Sequence, residues 1–236
     1  MQNFYIIVPA YNAEKWIRNC IVSIELQHYK NYSIVLIDDC SEDGTWEIMK
    51  EFPYPKIRNE VHSGSVVENM VKVFSLYPPV PDCVDMVVDG DDYLDNRRVL
   101  DILNEAYKED VWFTYGQFWP LSKAYENFCK PILNTDTYRK NEEWTIGQLR
   151  TWKHWLWEKV KDEDLRNDNG NYFIASCDRS FSYPMIEMAG LDHIRLIKEV
   201  LYVYNDLNPL CGFRAFPEEC QLRANIIKSK QEYKKI

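Results

Sequence analysis

The amino-acid sequence predicts an α/β fold with a mostly parallel central sheet flanked by helices. In the first half of the chain, short apolar runs of strand length alternate with segments whose apolar residues recur at helical spacing. The runs are apolar at consecutive positions, which indicates strands that are buried on both faces. Strands of this kind, separated by helices, form right-handed crossovers and therefore a parallel sheet that helices cover.

The first half contains five predicted strands, and a helix follows each of the first four. Asn12 is a suitable N-cap for the first helix, and the turns 41–44 and 63–65 precede the second and third. The strands are predicted at 4–8, 33–37, 57–61, 84–88 and 111–115, and the helices carry apolar residues from Trp16, Trp46, Val66 and Val99 onward.

The second half of the chain is less regular. Prolines, a glycine and a cluster of aromatic residues predict that 116–145 is largely loop. The helical spacing of apolar residues predicts a helix over 149–161. The remaining predicted elements are a helix near 178–188 that ends at Gly190, a strand within 194–204, and a charged, helix-compatible tail at 217–236.

The composition indicates one globular domain that does not bind nucleic acid. The chain has 236 residues, of which 37 are acidic and 28 basic, giving a net charge of -9. A chain of this length buries roughly 70% of its unfolded surface, so its core needs no disulfide or metal. Nucleic-acid binding draws mainly on Lys and Arg, and the acidic excess therefore argues against it. An anionic small-molecule ligand is still compatible with this composition, because a bound cation can make the electrostatic potential of its site positive.

The cysteines and the amino terminus predict a cytoplasmic protein. Seven cysteines are dispersed, without a C-x-x-C pair, which favours reduced thiols over a secreted disulfide framework. The apolar stretch 4–8 is too short for a signal-peptide core, and no run approaches the roughly 20 apolar residues of a membrane span. We therefore expect no transmembrane segment.

Three carboxylates follow the fourth predicted strand, in Asp89-Gly90-Asp91-Asp92. Ligands of parallel sheets bind beyond the carboxyl ends of the strands, so this turn lies where a ligand is expected. Mg²⁺ and Mn²⁺ prefer oxygen ligands, often one or two carboxylates together with substrate phosphates. The alternative is an acidic turn that caps the helix after it.

Asp38 and Asp39 hold the equivalent place after the second strand. A carboxylate there can accept hydrogen bonds from a base or a ribose hydroxyl. The alternative is that the turn only caps the next helix through Ser41 or Asp43.

The segments 8–12 (VPAYN), 38–45 (DDCSEDGT) and 89–92 (DGDD) resemble, in order and spacing, the family 2 glycosyltransferases with the GT-A fold. The resemblance covers residues 1 to about 110 and continues less sharply to about 210. Its later part, at 149–157, 176–178 and 184–190, looks like a subgroup of bacteria and large DNA viruses, including transferases of chlorella-virus capsid glycans.

The resemblance implies a nucleotide-sugar site with a divalent metal. Mn²⁺ or Mg²⁺ would bind Asp91, Asp89 and Asp92 and bridge the diphosphate of the donor, most simply a UDP-sugar. The implied donor-nucleotide residues are Pro9, Ala10, Tyr11, Asn12, Asp38, Asp39, Ser65, Asp89 and Gly90.

The resemblance also implies a general base. The family's inverting members carry an E-D pair at the start of a helix, and here Cys177-Asp178 occupies that place, so Asp178 is the candidate. Apart from the resemblance, Arg150 or Lys153 would reach the diphosphate, and the alternative is a solvated helix face. Three tryptophans, at 152, 155 and 157, cannot all face one way on a helix, so we expect at least one of Trp152 and Trp155 to be exposed and to contact the acceptor, and the others to pack in the core. Some relatives add a late histidine to the metal. This chain has residues 204–206 (YND) at that point, which puts a third protein ligand in doubt.

The resemblance thus implies an inverting, metal-dependent glycosyltransferase that acts on a saccharide acceptor. The predicted domain spans 1–236, with a nucleotide-sugar half at 1–115, an acceptor half at 116–215 and a helical tail at 216–236. Two alternatives are a nucleotidyltransferase that makes nucleotide sugars and a non-catalytic glycan-binding domain. The first normally carries a Gly-rich basic loop near its amino terminus, which the segment 9–12 lacks.

Overall fold

In the part of the chain that the structure describes, eight strands form one sheet with helices packed on both faces. The computed structural model describes residues 1–141, 143–210 and 217–236. The strands are β1 (Phe4–Ala10), β2 (Tyr32–Asp38), β3 (Lys56–Arg58), β4 (Val84–Val87), β5 (Tyr93–Leu94), β6 (Phe113–Pro120), β7 (Thr151–Lys153) and β8 (Ile194–Tyr204). The helices are α1 (Ile17–Glu25), α2 (Thr45–Lys50), α3 (Val66–Leu76), α4 (Val99–Ala106), α5 (Thr135–Asn141), α6 (His154–Trp157), α7 (Cys177–Ala189) and α8 (Pro217–Ser229).

The strand order across the sheet is β3-β2-β1-β4-β7-β6-β8-β5. The first four of these are parallel, with Ile6 of β1 opposite Ile34 of β2 and Met86 of β4. β7 is antiparallel to both of its neighbours, β4 and β6, so β6 again runs in the direction of β4. β8 is parallel to β6, and the short β5 is antiparallel to β8. The predicted mostly parallel sheet is confirmed, and strands of both predicted halves join it.

Two apolar cores lie on the two faces of the sheet, and β1 contributes to both. Phe4, Ile6 and Val8 belong to the core that contains α1 and α4. Tyr5 and Ile7 belong to the core that contains α3 and α7. All seven residues of β1 are buried, which explains why its sequence is apolar at consecutive positions instead of alternating.

The second half differs from the prediction in two segments. The predicted helix 149–161 is wrong in its first part, because Thr151–Lys153 is strand β7 and only His154–Trp157 is helical. The segment 151–153 lies between β4 and β6 and pairs with both strands. These hydrogen bonds outweigh the helical spacing of the apolar residues in the local sequence. The segment 116–145 contains the end of β6 and helix α5 as well as loop.

The helix predicted near 178–188 is α7, and it ends at Gly190 as expected. Gly190 has a φ of 63°, which glycine adopts at little cost. The tail contains α8, but the predicted boundary at 215/216 lies outside the described residues. Among the helices of the described residues, none has the length and apolarity that crossing a membrane requires.

Candidate active site

The loops after β1, β2 and β4 meet at the carboxyl edge of the parallel strands. The amide of Gly90 donates a hydrogen bond to the carbonyl of Pro9 at 2.8 Å, and the amide of Asp39 donates to the carbonyl of Ala10, also at 2.8 Å. The three sequence motifs that follow these strands are therefore neighbours in space. This is the edge at which parallel α/β sheets bind their ligands.

Gly90 is required by the close approach of the loop after β1. A Cβ at this position would lie 2.6 Å from the Cβ of Ala10 and 3.0 Å from the carbonyl oxygen of Pro9. No side chain fits there without moving backbone, so the glycine holds the acidic turn tightly against the neighbouring loop.

Three carboxyl groups stand on this turn, and side chains from later in the chain contact them. The Asn208 amide donates to Asp91 Oδ2 at 2.7 Å, and the Gln148 amide lies 3.3 Å from Asp89 Oδ2. The backbone amide of Asn205 donates to Asp92 Oδ1 at 2.6 Å. Segments before β7 and after β8 thus complete the site.

The acidic turn has the donor set of a divalent-cation site. Burial, together with the negative charge of Asp91, raises the pKa of Asp89 to about 7. Burial also raises the pKa of Asp91, and burial followed by Asp91 raises that of Asp92. Adjacent carboxylates that are hard to ionise together are relieved by a divalent cation with oxygen preference. The residues present therefore fit Mg²⁺ or Mn²⁺.

A second group of metal-ligand residue types lies at the opposite end of β4. Cys83, Asp85 and His154 are buried together, with His154 Nδ1 2.7 Å from Asp85 Oδ2. Cys83 precedes the first residue of β4, whereas the acidic turn follows its last. This group is therefore separate from the candidate active site.

Asp38 stabilises the fold and does not face the site. It is fully buried, lies 3.1 Å from Arg58 Nε, and accepts a hydrogen bond from the amide of Ser41 at 3.3 Å. Its predicted contact with the donor nucleotide is wrong, because both of its oxygens face groups of the protein.

Asp39 organises the loop that precedes α3. Its Oδ1 accepts from Asn59 Nδ2 at 2.6 Å and from the amide of Ser63 at 3.0 Å. Its Oδ2 accepts from the Ser63 hydroxyl and the amide of Gly64, both at 3.0 Å. The ring of His62 in the same loop stacks on the ring of Tyr11 with centroids 3.7 Å apart. Asp39 and Tyr11 are thus brought together, as the sequence predicts.

Asn12 joins the first two motif loops. Its amide donates to Ser41 Oγ, and its side-chain oxygen accepts from the amide of Glu42, each at 2.9 Å. Its φ of 48° is a left-handed conformation that asparagine tolerates. The loop that carries Pro9 and Ala10 is held in one shape by these contacts.

Ser65 caps α3 instead of facing the site. Its hydroxyl accepts from the amide of Glu68 at 3.2 Å and donates to the carbonyl of Phe173 at 2.8 Å. The residue is 1% exposed. Its predicted side-chain contact with the donor is wrong, because both hydrogen-bonding roles of the hydroxyl are used within the protein.

Asp178 lies in the first turn of α7, and Arg150 holds it. Arg150 Nη1 is 3.1 Å from Asp178 Oδ2, and both side chains are partly exposed. The charges of Arg150 and Asp178 both act on the pKa of Asp89, which places the pair beside the acidic turn. The structure therefore brings the candidate base, Arg150 and the acidic turn together.

The two predicted acceptor tryptophans lie elsewhere. Trp152 is 1% exposed and packs on Phe181 with ring centroids 5.1 Å apart. Trp155 packs edge-on against Trp112, 4.9 Å away, beyond the amino end of β6. Both predictions are wrong, because β7 directs Trp152 into the core and leads the chain away from the site. Lys153 likewise lies at the far edge, 2.6 Å from Gln2 Oε1.

Sequence reasoning missed Gln148, Asn205 and Asn208 as contacts of the acidic turn. Single amide residues have no recognisable spacing, and their positions depend on how β7 and β8 pair. The one available signal was the segment 204–206, which stands where some relatives carry a late histidine. The structure shows amide groups of Asn205 and Asn208 at the acidic turn.

Comparison with known proteins identifies relatives that are glycosyltransferases. Residues 5–177 match the family model described as glycosyl transferase family 2. The glycosyltransferase GlyA of Streptococcus pneumoniae serotype 4 is 28% identical over 142 residues, which are 57% of this chain and 19% of GlyA.

Two solved structures share the fold. Staphylococcus aureus TarS 1–349, in complex with UDP-GlcNAc, matches with a TM-score of 0.66 and 20% identity, over 87% of this chain and 59% of that one. The mannosyltransferase PcManGT of Pyrobaculum calidifontis, in complex with GDP-Man and Mn²⁺, matches with a TM-score of 0.65 and 16% identity, over 98% of this chain and 66% of that one.

The fold is that of the GT-A glycosyltransferases. The chain belongs to glycosyl transferase family 2. It spans about a fifth of GlyA and less than two thirds of the TarS structure.

Proposed function

We propose that this chain transfers a sugar from a nucleotide-diphosphate sugar to a hydroxyl of a saccharide acceptor, with inversion at the anomeric carbon. The observation that carries the proposal is the position of Asp178, held by Arg150 beside the acidic turn at the carboxyl edge of the sheet. A candidate base beside a metal-type cluster suits a direct displacement. The cysteine pattern supports a cytoplasmic location for this reaction.

The loops around Tyr11 and Asp39 would hold the nucleoside. TarS has been solved with UDP-GlcNAc and PcManGT with GDP-Man, so the shared fold accepts more than one base. A UDP-sugar is the donor we propose. Asp39 already accepts four hydrogen bonds from its own chain, so it would act mainly by shaping the pocket.

Asp89, Asp91 and Asp92 would hold Mn²⁺ or Mg²⁺. Such an ion stabilises, as a Lewis acid, the negative charge that develops on a departing diphosphate. The side-chain amide of Asn208 donates a hydrogen bond to Asp91 Oδ2 at 2.7 Å. When the metal binds, this hydrogen bond would either break or persist beside the metal contact.

Asp178 would accept the proton of the acceptor hydroxyl as its oxygen attacks the anomeric carbon and the bond to the diphosphate breaks. The guanidinium of Arg150, 3.1 Å from Asp178 Oδ2, fixes the position of this carboxylate. Its effectiveness as a base depends on its placement against the acceptor oxygen.

The test is a screen of nucleotide sugars for Mn²⁺-dependent hydrolysis and transfer. We expect Asp178→Asn to lower transfer by about 10²–10⁴-fold, because general base catalysis contributes that much, while nucleotide binding persists. Asp91→Asn should weaken Mn²⁺-dependent nucleotide binding in calorimetry. Asp192→Asn, an exposed carboxylate paired with Lys235, is the matched control. Near-normal transfer by the Asp178 variant would refute its role.

The same measurements separate the other classes. A glycan-binding domain without catalysis would bind saccharides but show no metal-linked nucleotide binding. A nucleotidyltransferase would consume a nucleoside triphosphate and a sugar phosphate, which the proposed enzyme would leave unchanged.

A further inference from the structure

Trp119 presents an aromatic surface to solvent at the carboxyl end of β6. It is 53% exposed, whereas the other seven of the eight tryptophans are half-buried or buried. β6 runs in the direction of β4, so its carboxyl end lies at the same edge of the sheet as the acidic turn. An exposed indole at the edge of a group-transfer site offers a ligand a large, rigid apolar surface together with a polar N–H group.

Trp119 also lies on the face of the sheet that carries Asp178. Phe113 and Tyr115 of β6 belong to the core beneath α7, and Phe118 belongs to the opposite core. Side chains alternate along a strand, so Trp119 points to the α7 side. The first turn of α7 contains Asp178.

The register of the sheet gives the separation. Thr114 of β6 pairs with Thr151 of β7 in antiparallel fashion, which sets Arg150 opposite Tyr115. Trp119 is four residues further along β6 than Tyr115, which separates it along the strand from the level of Arg150 by about 13 Å. A separation of this order is within the span of a short oligosaccharide whose terminal hydroxyl lies at Asp178, the partner of Arg150.

The surroundings of Trp119 are partly polar. On the other side of β6, Trp119 pairs with Val203 of β8, two residues before Asn205, which binds Asp92. Gln117 lies on the same face as Trp119 and is hydrogen-bonded to Asn127. An indole ring beside amide side chains combines the two features that a sugar ring needs, an apolar surface for its C–H face and polar groups for its hydroxyls.

We propose that Trp119 binds a pyranose ring of the acceptor saccharide, one or two units away from the hydroxyl that reacts. The inference rests on the proposed function and specifies its acceptor as an oligosaccharide or a glycoside with more than one ring. The site replaces the acceptor contacts that the sequence suggested for Trp152 and Trp155.

The test compares Trp119→Ala with Trp119→Phe on a printed array of defined saccharides, with UDP and Mn²⁺ present. We expect the alanine variant to lose saccharide binding by about tenfold or more, the order of one good aromatic contact, and the phenylalanine variant to retain much of it. Trp155→Ala, a partly exposed tryptophan at the opposite edge, is the matched control and should bind as the wild type does. Circular dichroism confirms that each variant is folded.

Two results would overturn the proposal. One is unchanged array binding by Trp119→Ala, and the other is the absence of any saccharide whose binding to the wild type depends on Trp119. Hydrolysis of the donor sugar in water by the wild type is measured in parallel. Failure of the wild type to hydrolyse or transfer from any donor contradicts the proposed function instead, so the two failures are distinguishable.

Discussion

Replacing Arg139 with methionine should destabilise the protein strongly, because it leaves the buried carboxylate of Glu187 without its ion-pair partner. Arg139 is 1% exposed on α5 and Glu187 is 5% exposed on α7. Arg139 Nη2 lies 2.7 Å from Glu187 Oε2, and Nε lies 2.6 Å from Oε1. Glu187 Oε2 also accepts from the amide of Tyr233, so the pair fastens the carboxyl-terminal segment to the domain.

The expected magnitude follows from the burial of both partners. Removing one partner of a buried ion pair costs about 3–5 kcal/mol, since the other charge is left without compensation. In a chain of this length each kcal/mol lowers the melting temperature by about 2–4 °C, so we expect a decrease of about 6–20 °C.

The penalty should grow with pH. Burial raises the pKa of Glu187 to about 7 even beside Arg139, and loss of the guanidinium raises it further. The folded variant therefore holds a proton that the unfolded chain releases above its ordinary pKa, and the free energy of unfolding falls as pH rises through neutrality.

Urea unfolding of Arg139→Met at pH 5 and pH 8 measures both effects. The double variant Arg139→Met, Glu187→Gln is the matched control, because glutamine keeps an acceptor for Tyr233 and carries no charge. It should recover most of the loss. A penalty below about 1 kcal/mol, or a double variant no more stable than the single one, would show that the pair behaves as a surface ion pair and refute the reasoning.

Three further predictions concern separate contacts. Burial lowers the pKa of His154, but the hydrogen bond and the charge of Asp85 outweigh burial and leave this pKa raised. The stabilising ion pair is therefore present below the ordinary histidine pKa and lost as pH rises through the raised one. Urea unfolding between pH 6 and 9 should show this fall in the wild type, and Asp85→Asn should flatten it; an equal slope in both contradicts the assignment. Gly90→Ala should cost about 1–3 kcal/mol from overpacking against Ala10, and calorimetry should show weaker nucleotide binding; unchanged stability would mean that the loops yield freely. Asp39→Ala removes the acceptor of four hydrogen bonds, so hydrogen exchange of the loop amides at 63 and 64 should accelerate; unaltered protection would mean that the loop is held by other contacts.

Local patterns predicted the parallel part of the sheet. The apolar runs that became β1, β2 and β4 are buried on both faces, so nearly every residue of each run carries the signal. The acidic turn and the loop at 9–12 were also predictable, since parallel strands end at a common edge whatever the later chain does. The helix that carries Asp178 has both an apolar pattern and a glycine stop.

The antiparallel insertion was not predictable in this way. β7 has three residues, and its conformation is decided by hydrogen bonds to β4 and β6, which are distant in sequence. Trp152 and Trp155 are three residues apart, as on one face of a helix, but Trp152 lies in β7 and Trp155 lies in α6. Their predicted role at the acceptor site failed for that reason.

The sequence by itself determined the fold class, the edge at which the site forms and the carboxyl groups that line it, because these follow from local periodicity and the residues at strand ends. Only the tertiary structure decided which groups meet there. It set Arg150 on Asp178, brought the amides of Gln148 and Asn208 to the acidic turn, and left Trp119 exposed on the face of the candidate base. Such contacts join residues dozens of positions apart, and strand pairing and register, which no local pattern encodes, set their distances.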